Sequence, residues 1–280
     1  MIDVRMRLPN EFRSITIDEM KAFYGKYEDV FDISAMSKIK GEHLLQQIKT
    51  SEIDHAVVHA EYEYAEDASK LNDSLAQFLS EHPDKLSGFG TVDLTNLQPR
   101  NLVKEAERIK SYGFKGINLQ PIFFDVDPLD RRLYPLYSKA EQLGLILSFH
   151  TGIHYSLHSS FINNNPLFID QIAVDFPELK MIACHAGWPW VGEMAAIARR
   201  HSNVFLEFGG LDPRYIAKQG SGWEPLFTLM DNLLQDQILF GTDWPVIAPN
   251  QVIAGWQQSQ LKESTLDKLF KHNARKLLEL

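Results

Sequence analysis

IDVRMRLP (2–9), LILSFHTG (145–152), MIACHAGWPW (181–190) and ILFGTDWP (238–245) each begin as an apolar, strand-like run and stop on a charged or imidazole side chain. In a barrel of parallel strands such stops collect at one rim, the face on which barrel enzymes do their chemistry. The first stretch is the most telling. Arg5 and Arg7 alternate across Met6, and a period of two puts both on one face of the strand.

Working outward, strands alternate with helices along the whole chain. HAVVHAE (55–61), LSGFGTV (86–92), FKGINLQP (114–121) and NVFLEFG (203–209) read as strands two, three, four and seven; the opening stretches supply strands one, five, six and eight. Between them lie amphipathic runs. In 67–83, Leu71, Leu75, Phe78 and Leu79 share one face and Pro83 closes the helix. The runs over 102–113 and 130–144 end on Gly113 and Gly144, the residue favoured just past a helix C-terminus. A final helix covers 264–280. Eight such units call for parallel strands with right-handed crossovers, hence a single-domain (β/α)8 TIM barrel over 1–280. An insertion at about 10–34 follows strand one; its Phe23, Tyr24, Tyr27 and Phe31 suit a lid or a dimer contact. A doubly wound open sheet would place a glycine-rich phosphate turn after strand one, where Leu8, Pro9, Asn10 and Glu11 stand instead.

Composition excludes several classes of function. The 280 residues carry a net charge of -9 with no basic stripe, against nucleic-acid binding. No apolar run approaches a membrane span. Asp3, Arg5 and Arg7 interrupt any signal-peptide pattern, and the single cysteine, Cys184, rules out an internal disulfide framework; both point to the cytoplasm. A small anionic substrate stays compatible, because a pocket can be locally positive in an acidic protein.

The residues that end strands are Arg5 and Arg7, Glu61 and Glu63, Asp93, Gln120, His150, His185, Glu207 and Asp243. With HAGWPW, FGTDWP and the run from Tyr134 to Gly152, they resemble the amidohydrolase superfamily, in the amidohydrolase-related branch that holds aminocarboxymuconate-semialdehyde and resorcylate-type decarboxylases, an oxalomesaconate hydratase and a pyrone-dicarboxylate lactonase. The resemblance runs from Ile2 to the terminal HNARKLL. It implies that His150 corresponds to the strand-five metal ligand, His185 to the strand-six histidine that acts on substrate or water, and Asp243 to the strand-eight aspartate that serves as ligand and general base. It also implies a homodimer. The strand-one His-x-His pair of that pattern falls on Arg5 and Arg7.

A guanidinium has no lone pair and stays protonated, so two ligands of the pattern are missing. It also repels a cation: unit charges about 4 Å apart interact by roughly 4 kcal/mol at an effective dielectric near 20. The expectation is therefore a protein without a cofactor, with zinc or another divalent metal on His150, His185 and Asp243 as the alternative. Arg5 and Arg7 would take over the electrostatic task and grip a carboxylate through their forks. Asp243 would act as general base, with His150 and His185 polarising the substrate or protonating the leaving group. Gln120, Trp188 and Trp244 complete the expected substrate contacts. The reaction expected first is hydrolysis of a carboxylated lactone, ester or amide. The alternatives are decarboxylation of an aromatic or muconate-type acid, and a catalytically silent barrel that binds an anion. Arg5 and Arg7 paired only with Asp243 and Glu207 would fit the last. Strand alternation turns Cys184 away from His185, into the strand–helix layer. His55 and His59 read as packed or surface residues, and His154 and His158 as parts of a loop over the pocket.

Overall fold

The computed structural model describes residues 1–24, 32–64, 66–156 and 158–280. Eight parallel strands follow one another around a barrel in chain order. They are β1 (Ile2–Arg7), β2 (His55–His59), β3 (Leu86–Gly90), β4 (Gly116–Leu119), β5 (Ile146–His150), β6 (Met181–Cys184), β7 (Val204–Glu207) and β8 (Ile238–Leu239). The ring closes through backbone bonds between β1 and the segment after β8: Val4 N–H to Phe240 O at 2.9 Å, Asp243 N–H to Arg5 O at 2.9 Å and Arg7 N–H to Trp244 O at 2.8 Å. The expected single TIM barrel is what forms, and the closure joins the two segments that carry Arg5, Arg7 and Asp243.

Helices cover the outside of the barrel. Those over Ala68–Ser80, Pro99–Ser111 and Tyr134–Leu143 form where the apolar spacing predicts them. Gly144 takes up the left-handed conformation (φ 65) at the end of the third. The helix over Pro249–Gln257 was not expected from the sequence; its proline lies at the first turn and it buries Val252, Ile253 and Trp256. The predicted final helix is in three parts, Glu263–Asp267, a π-helical Lys268–His272 and Asn273–Leu278. No described helix is long and apolar enough to cross a membrane. In the insertion, Phe23 packs against Tyr64 and Phe123, with ring centroids 4.9 and 5.9 Å apart. Tyr27 and Phe31 lie outside the described residues.

Two apolar layers follow from strand alternation. Val58, Leu147, Met181 and Ile238 pack outward against the helices, while Val57, Ile146, Ile182 and Leu239 fill the barrel with Ala274, Leu277 and Leu278 of the terminal helix. β1 breaks the alternation. Ile2 and Val4 belong to the inner group, yet Met6 and Leu8 belong to the outer one. The pairing of β1 with β2 shifts register between Asp3 and Met6, and such an irregularity re-aims the side chains beyond it. The shift turns both Arg5 and Arg7 into the barrel above its apolar floor.

Gly116 of β4 shows how tightly this interior is filled. A Cβ there would collide with the Ile146 carbonyl and meet the Phe89 ring at 2.8 Å. Overpacking of this kind costs typically 1–3 kcal/mol, so Gly116→Ala is expected to lower unfolding stability by about that amount in a denaturant titration. Gly192, on the helix over Val191–Arg200, has nothing within 4 Å, and Gly192→Ala should leave stability unchanged or raise it by up to about 1 kcal/mol.

Candidate active site

The carboxylate of Asp243 lies between two guanidiniums. Arg7 grips it with both arms, Nε to Oδ1 at 2.9 Å and Nη2 to Oδ2 at 2.8 Å, and Arg5 adds Nε to Oδ1 at 3.1 Å. Asp243 holds left-handed backbone (φ 57) just after the short β8, which for an L-residue costs roughly 1–2 kcal/mol. Its N–H bonds Arg5 O, so the same β1 residue fixes both its backbone and its side chain.

Arg5 is wholly buried (0 % exposed) and all three guanidinium nitrogens are engaged. Besides Asp243, it donates to Glu61 at 2.9 Å, to Asn118 Oδ1 at 3.3 Å and to Cys184 Sγ at 3.1 Å, with His59 Nδ1 at 3.5 Å. Arg7 donates further to Glu63 at 3.3 Å. The Gln120 amide bonds Glu61, and Glu63 at 3.4 Å. Two guanidiniums therefore face three carboxylates, and the barrel floor carries no excess positive charge. Glu207 is not among the ion-pair partners. Its Oε1 accepts from Gly209 N–H, and its Oε2 is buried without a partner.

Cys184 does not point into the strand–helix layer. It is inside the barrel, on Arg5 and 3.0 Å from Ser148 Oγ. The alternation argument fails because β6 ends at Cys184. His185 (φ 59) and Ala186 (φ 45) then turn left-handed, so neighbouring residues both reach inward. His59 is likewise an interior residue, stacked on Phe89 at 4.8 Å, with Nε2 donating to Val4 O at 2.8 Å.

Above this floor opens a cavity of about 740 Å³. Arg7, Glu63, His150, His185 and Asp243 form its polar end, and Phe123, Trp188, Leu211, Trp223 and Ile247 are among its apolar walls. Arg5, Gln120 and Trp244 lie outside the lining. Arg5 and Gln120 sit beneath it, and Trp244 packs in the strand–helix core. Sequence reasoning passed over Asn118, Asn164 and the inward Cys184, since none follows a recognisable pattern. Glu61 and Glu63 were visible as strand-ending acids, without a sign of whether they faced the rim or solvent.

His150 and His185 stand 4.8 Å apart, ring centre to ring centre, and their neighbours fix their tautomers. Asn164 Nδ2 donates to Gly152 O at 2.7 Å, which sets the orientation of its amide; the same nitrogen lies 2.8 Å from His150 Nδ1. His150 Nδ1 is thus the acceptor, and its proton is on Nε2. His185 Nδ1 lies 2.6 Å from Gly209 O. A carbonyl only accepts, so His185 carries its proton on Nδ1 and offers an Nε2 lone pair. Burial, then His185 and the Arg5 charge, hold His150 well below the ordinary imidazole range. Burial and Arg5 bring His185 down to about 4. Both rings are neutral at pH 7, one presenting a proton and the other a lone pair. Asp243 is the reverse case: burial opposes its charge, yet Arg7 and Arg5 hold its carboxyl far below the usual carboxylate range.

The donor set does not fit a divalent cation. Both Asp243 oxygens are bound to guanidinium N–H groups, and His150 Nε2 bears a proton. Among His150, His185 and Asp243, only His185 Nε2 and one site on Asp243 Oδ2 keep a lone pair, and a cation at Oδ2 would lie against the Arg7 guanidinium. Among the described residues no group of three or more His, Cys, Asp or Glu is arranged to hold a metal ion.

Arg5→Met strips Glu61 and Asp243 of a buried partner and is expected to cost about 3–5 kcal/mol of unfolding free energy, read by denaturant titration. Burial also raises the Glu207 carboxyl to about 8 and that of Asp3 to about 7. Both folded values exceed the unfolded ones, so the fold keeps protons that the unfolded chain releases above about pH 4, and the stability that these two groups contribute declines as pH rises from there toward 8. Glu207→Gln removes one of these groups and should gain on the wild type between pH 5 and 8. Parallel pH profiles would mean that Glu207 is ionised in the fold.

A model of the amidohydrolase family (Amidohydrolase) matches residues 2–280. A gamma-resorcylate decarboxylase of Polaromonas sp. is 23% identical over 261 residues, 77% of each chain. An uncharacterised TIM-barrel protein of Bordetella bronchiseptica superposes with TM-score 0.78 at 24% identity, over 100% of this chain and 98% of that one. The 5-carboxyvanillate decarboxylase of Novosphingobium aromaticivorans, crystallised with manganese and 4-hydroxy-3-methoxy-5-nitrobenzoic acid, gives TM-score 0.75 at 17% identity, over 100% and 96%. Such likenesses to solved structures carry the fold. The curated relatives are named for decarboxylation, which overturns the expectation of hydrolysis in favour of the decarboxylase alternative. From the match along the whole chain, this protein belongs to the amidohydrolase family.

Proposed function

We propose that this protein is a carbon–carbon lyase that removes carbon dioxide from an aromatic carboxylic acid bearing a ring hydroxyl. The observation that carries the reading is the imidazole pair at the polar end of the cavity, with the His150 Nε2 proton beside the His185 Nε2 lone pair. The gamma-resorcylate decarboxylases that align with about three quarters of the chain support it.

Cleaving the bond between a ring carbon and its carboxylate leaves an electron pair on that carbon, so a proton must arrive there. A hydroxyl ortho or para to that carbon pushes electron density onto it as the hydroxyl proton leaves. In this reading His185 Nε2 accepts the hydroxyl proton and returns it to the carboxyl-bearing carbon. Carbon dioxide departs with the bond broken, and the remaining phenolate takes one proton from solvent. A hydroxyarenecarboxylate and one proton thus become a hydroxyarene and carbon dioxide. His150 Nε2–H donates to a substrate oxygen, and Trp188 and Phe123 flank the ring. Arg7, at the cavity's polar end, contacts the carboxylate. Arg5 and Gln120 act from beneath, by holding Asp243, Glu61 and Glu63. Asp243 is held ionised and engaged by two guanidiniums, so it anchors the floor, and the proton carrier is His185. Arg5 and Arg7 stand in for the strand-one histidine pair, and the floor works through fixed side-chain charge without a cation.

Incubating purified protein with hydroxybenzoates and detecting carbon dioxide tests the reading. His185→Gln should reduce kcat at least 100-fold. Because His185 protonates only near pH 4, kcat/KM should hold level from pH 8 to 6, where an ordinary imidazole base with a pKa of about 6.5 would lose more than half. Release of acid from lactones without carbon dioxide would overturn the proposal.

A further inference from the structure

Glu207 Oε2 and both ring nitrogens of His154 are among the buried polar atoms without a partner. Buried polar groups in folded proteins are nearly always paired, and a specific exception calls for an explanation. Glu207 is the last residue of β7, is 1 % exposed and lies outside the cavity lining, so it does not touch what the cavity holds. What its carboxyl does hold is backbone: Oε1 accepts from Gly209 N–H.

Gly209 is also where His185 is fastened. The Gly209 carbonyl takes the Nδ1 proton of His185 at 2.6 Å. The peptide that bears this carbonyl is held on its other side, where Gly210 N–H donates to Thr242 O at 3.2 Å. The N–H of the preceding peptide is the one held by Glu207. Gly209 has no side chain to restrain it, and glycine moves readily between backbone conformations. A Cβ there would collide with Glu207 Oε1 and meet Asp243 N at 3.0 Å. Hydrogen bonds on either side of Gly209 therefore take the place of a side chain in aiming its carbonyl. The Glu207 side chain fits beside it because position 241 is glycine as well; a Cβ at Gly241 would meet Glu207 Cδ at 2.8 Å. Without an acceptor at position 207, Gly209 N–H is buried and unpaired, a penalty that turning the backbone at Gly209 relieves. That turn takes the carbonyl off His185 Nδ1. An imidazole whose proton has moved to Nε2 has no lone pair there to accept another.

We infer that Glu207 is a positioning residue: through Gly209 it keeps the His185 proton on Nδ1, and so keeps the Nε2 lone pair open to the substrate. Its effect on turnover rests on the decarboxylase reading; its effect on the tautomer does not. Nitrogen–proton correlation spectra of protein labelled with nitrogen-15 histidine report the tautomer, with the His185 signals identified by their loss in His185→Gln. Wild-type protein should show His185 protonated on Nδ1, and so should Glu207→Gln, whose amide oxygen still accepts. Glu207→Met, of similar length but without an acceptor, should move most of the His185 population to Nε2. In that variant kcat should fall about tenfold, the scale of one net hydrogen bond, with KM within about twofold of wild type. Glu207→Leu repeats the test with a smaller apolar side chain should Glu207→Met not fold. His185 still protonated on Nδ1 in the apolar variants, the same change of tautomer in Glu207→Gln, or a loss of turnover carried by KM instead of kcat overturns the inference. The absence of carbon dioxide from wild-type protein, with the tautomers as expected, would instead count against the decarboxylase reading alone.

Discussion

The clamp of Arg5 and Arg7 on Asp243 is the interaction from which the rest of the site follows. Buried charges are tolerated only when paired and hydrogen-bonded, and here each partner completes the others. Arg7 takes both carboxylate oxygens of Asp243, and Arg5 spans from Asp243 to Glu61. The clamp also ties β1 to the segment after β8, where the barrel ring closes. Two guanidiniums beside three carboxylates leave the floor near electrical balance, so it is better described as a rigid polar platform than as an anion trap. The Arg5 charge acts upward on the histidines, helping burial to keep both neutral.

That platform supports a pair of unlike imidazoles. His185 is held in left-handed backbone with Nδ1 on Gly209 O, and Asn164 dictates the His150 tautomer through a bond it shares with Gly152 O. Positions fixed by neighbours before substrate arrives need no rearrangement during reaction, which is where preorganised sites gain their advantage. The platform also sets guanidinium N–H groups on both Asp243 oxygens, where a cation would have to bind. In the proposed reading, a barrel similar in fold to a decarboxylase crystallised with manganese carries its chemistry on side chains.

Much of this was legible in the residue pattern. The strand runs are short, apolar and separated by capped amphipathic helices, and period-two alternation correctly put Arg5 and Arg7 on one side. Position along the barrel was legible too: His150, His185 and Asp243 end their strands and meet at one rim. What escaped was geometry that depends on local breaks in regularity. The register shift in β1 and the left-handed turn at His185 reverse the facing that simple alternation assigns, which is how Cys184 came to be placed on the wrong side. The orphaned His154 ring carries no sequence signal, because nothing in a loop's composition shows which side chain will be buried unpaired. Hydrolysis and decarboxylation draw on the same rim residues, so sequence pattern ranked them in the wrong order and named relatives corrected it.

In the proposed reading the guanidinium clamp fills the place of a cation at Asp243. Titrating purified protein with Mn²⁺ while following the free-ion electron paramagnetic resonance signal tests it most directly. No saturable site that Asp243→Asn abolishes is expected. One tightly held ion per chain that is lost in Asp243→Asn would contradict it.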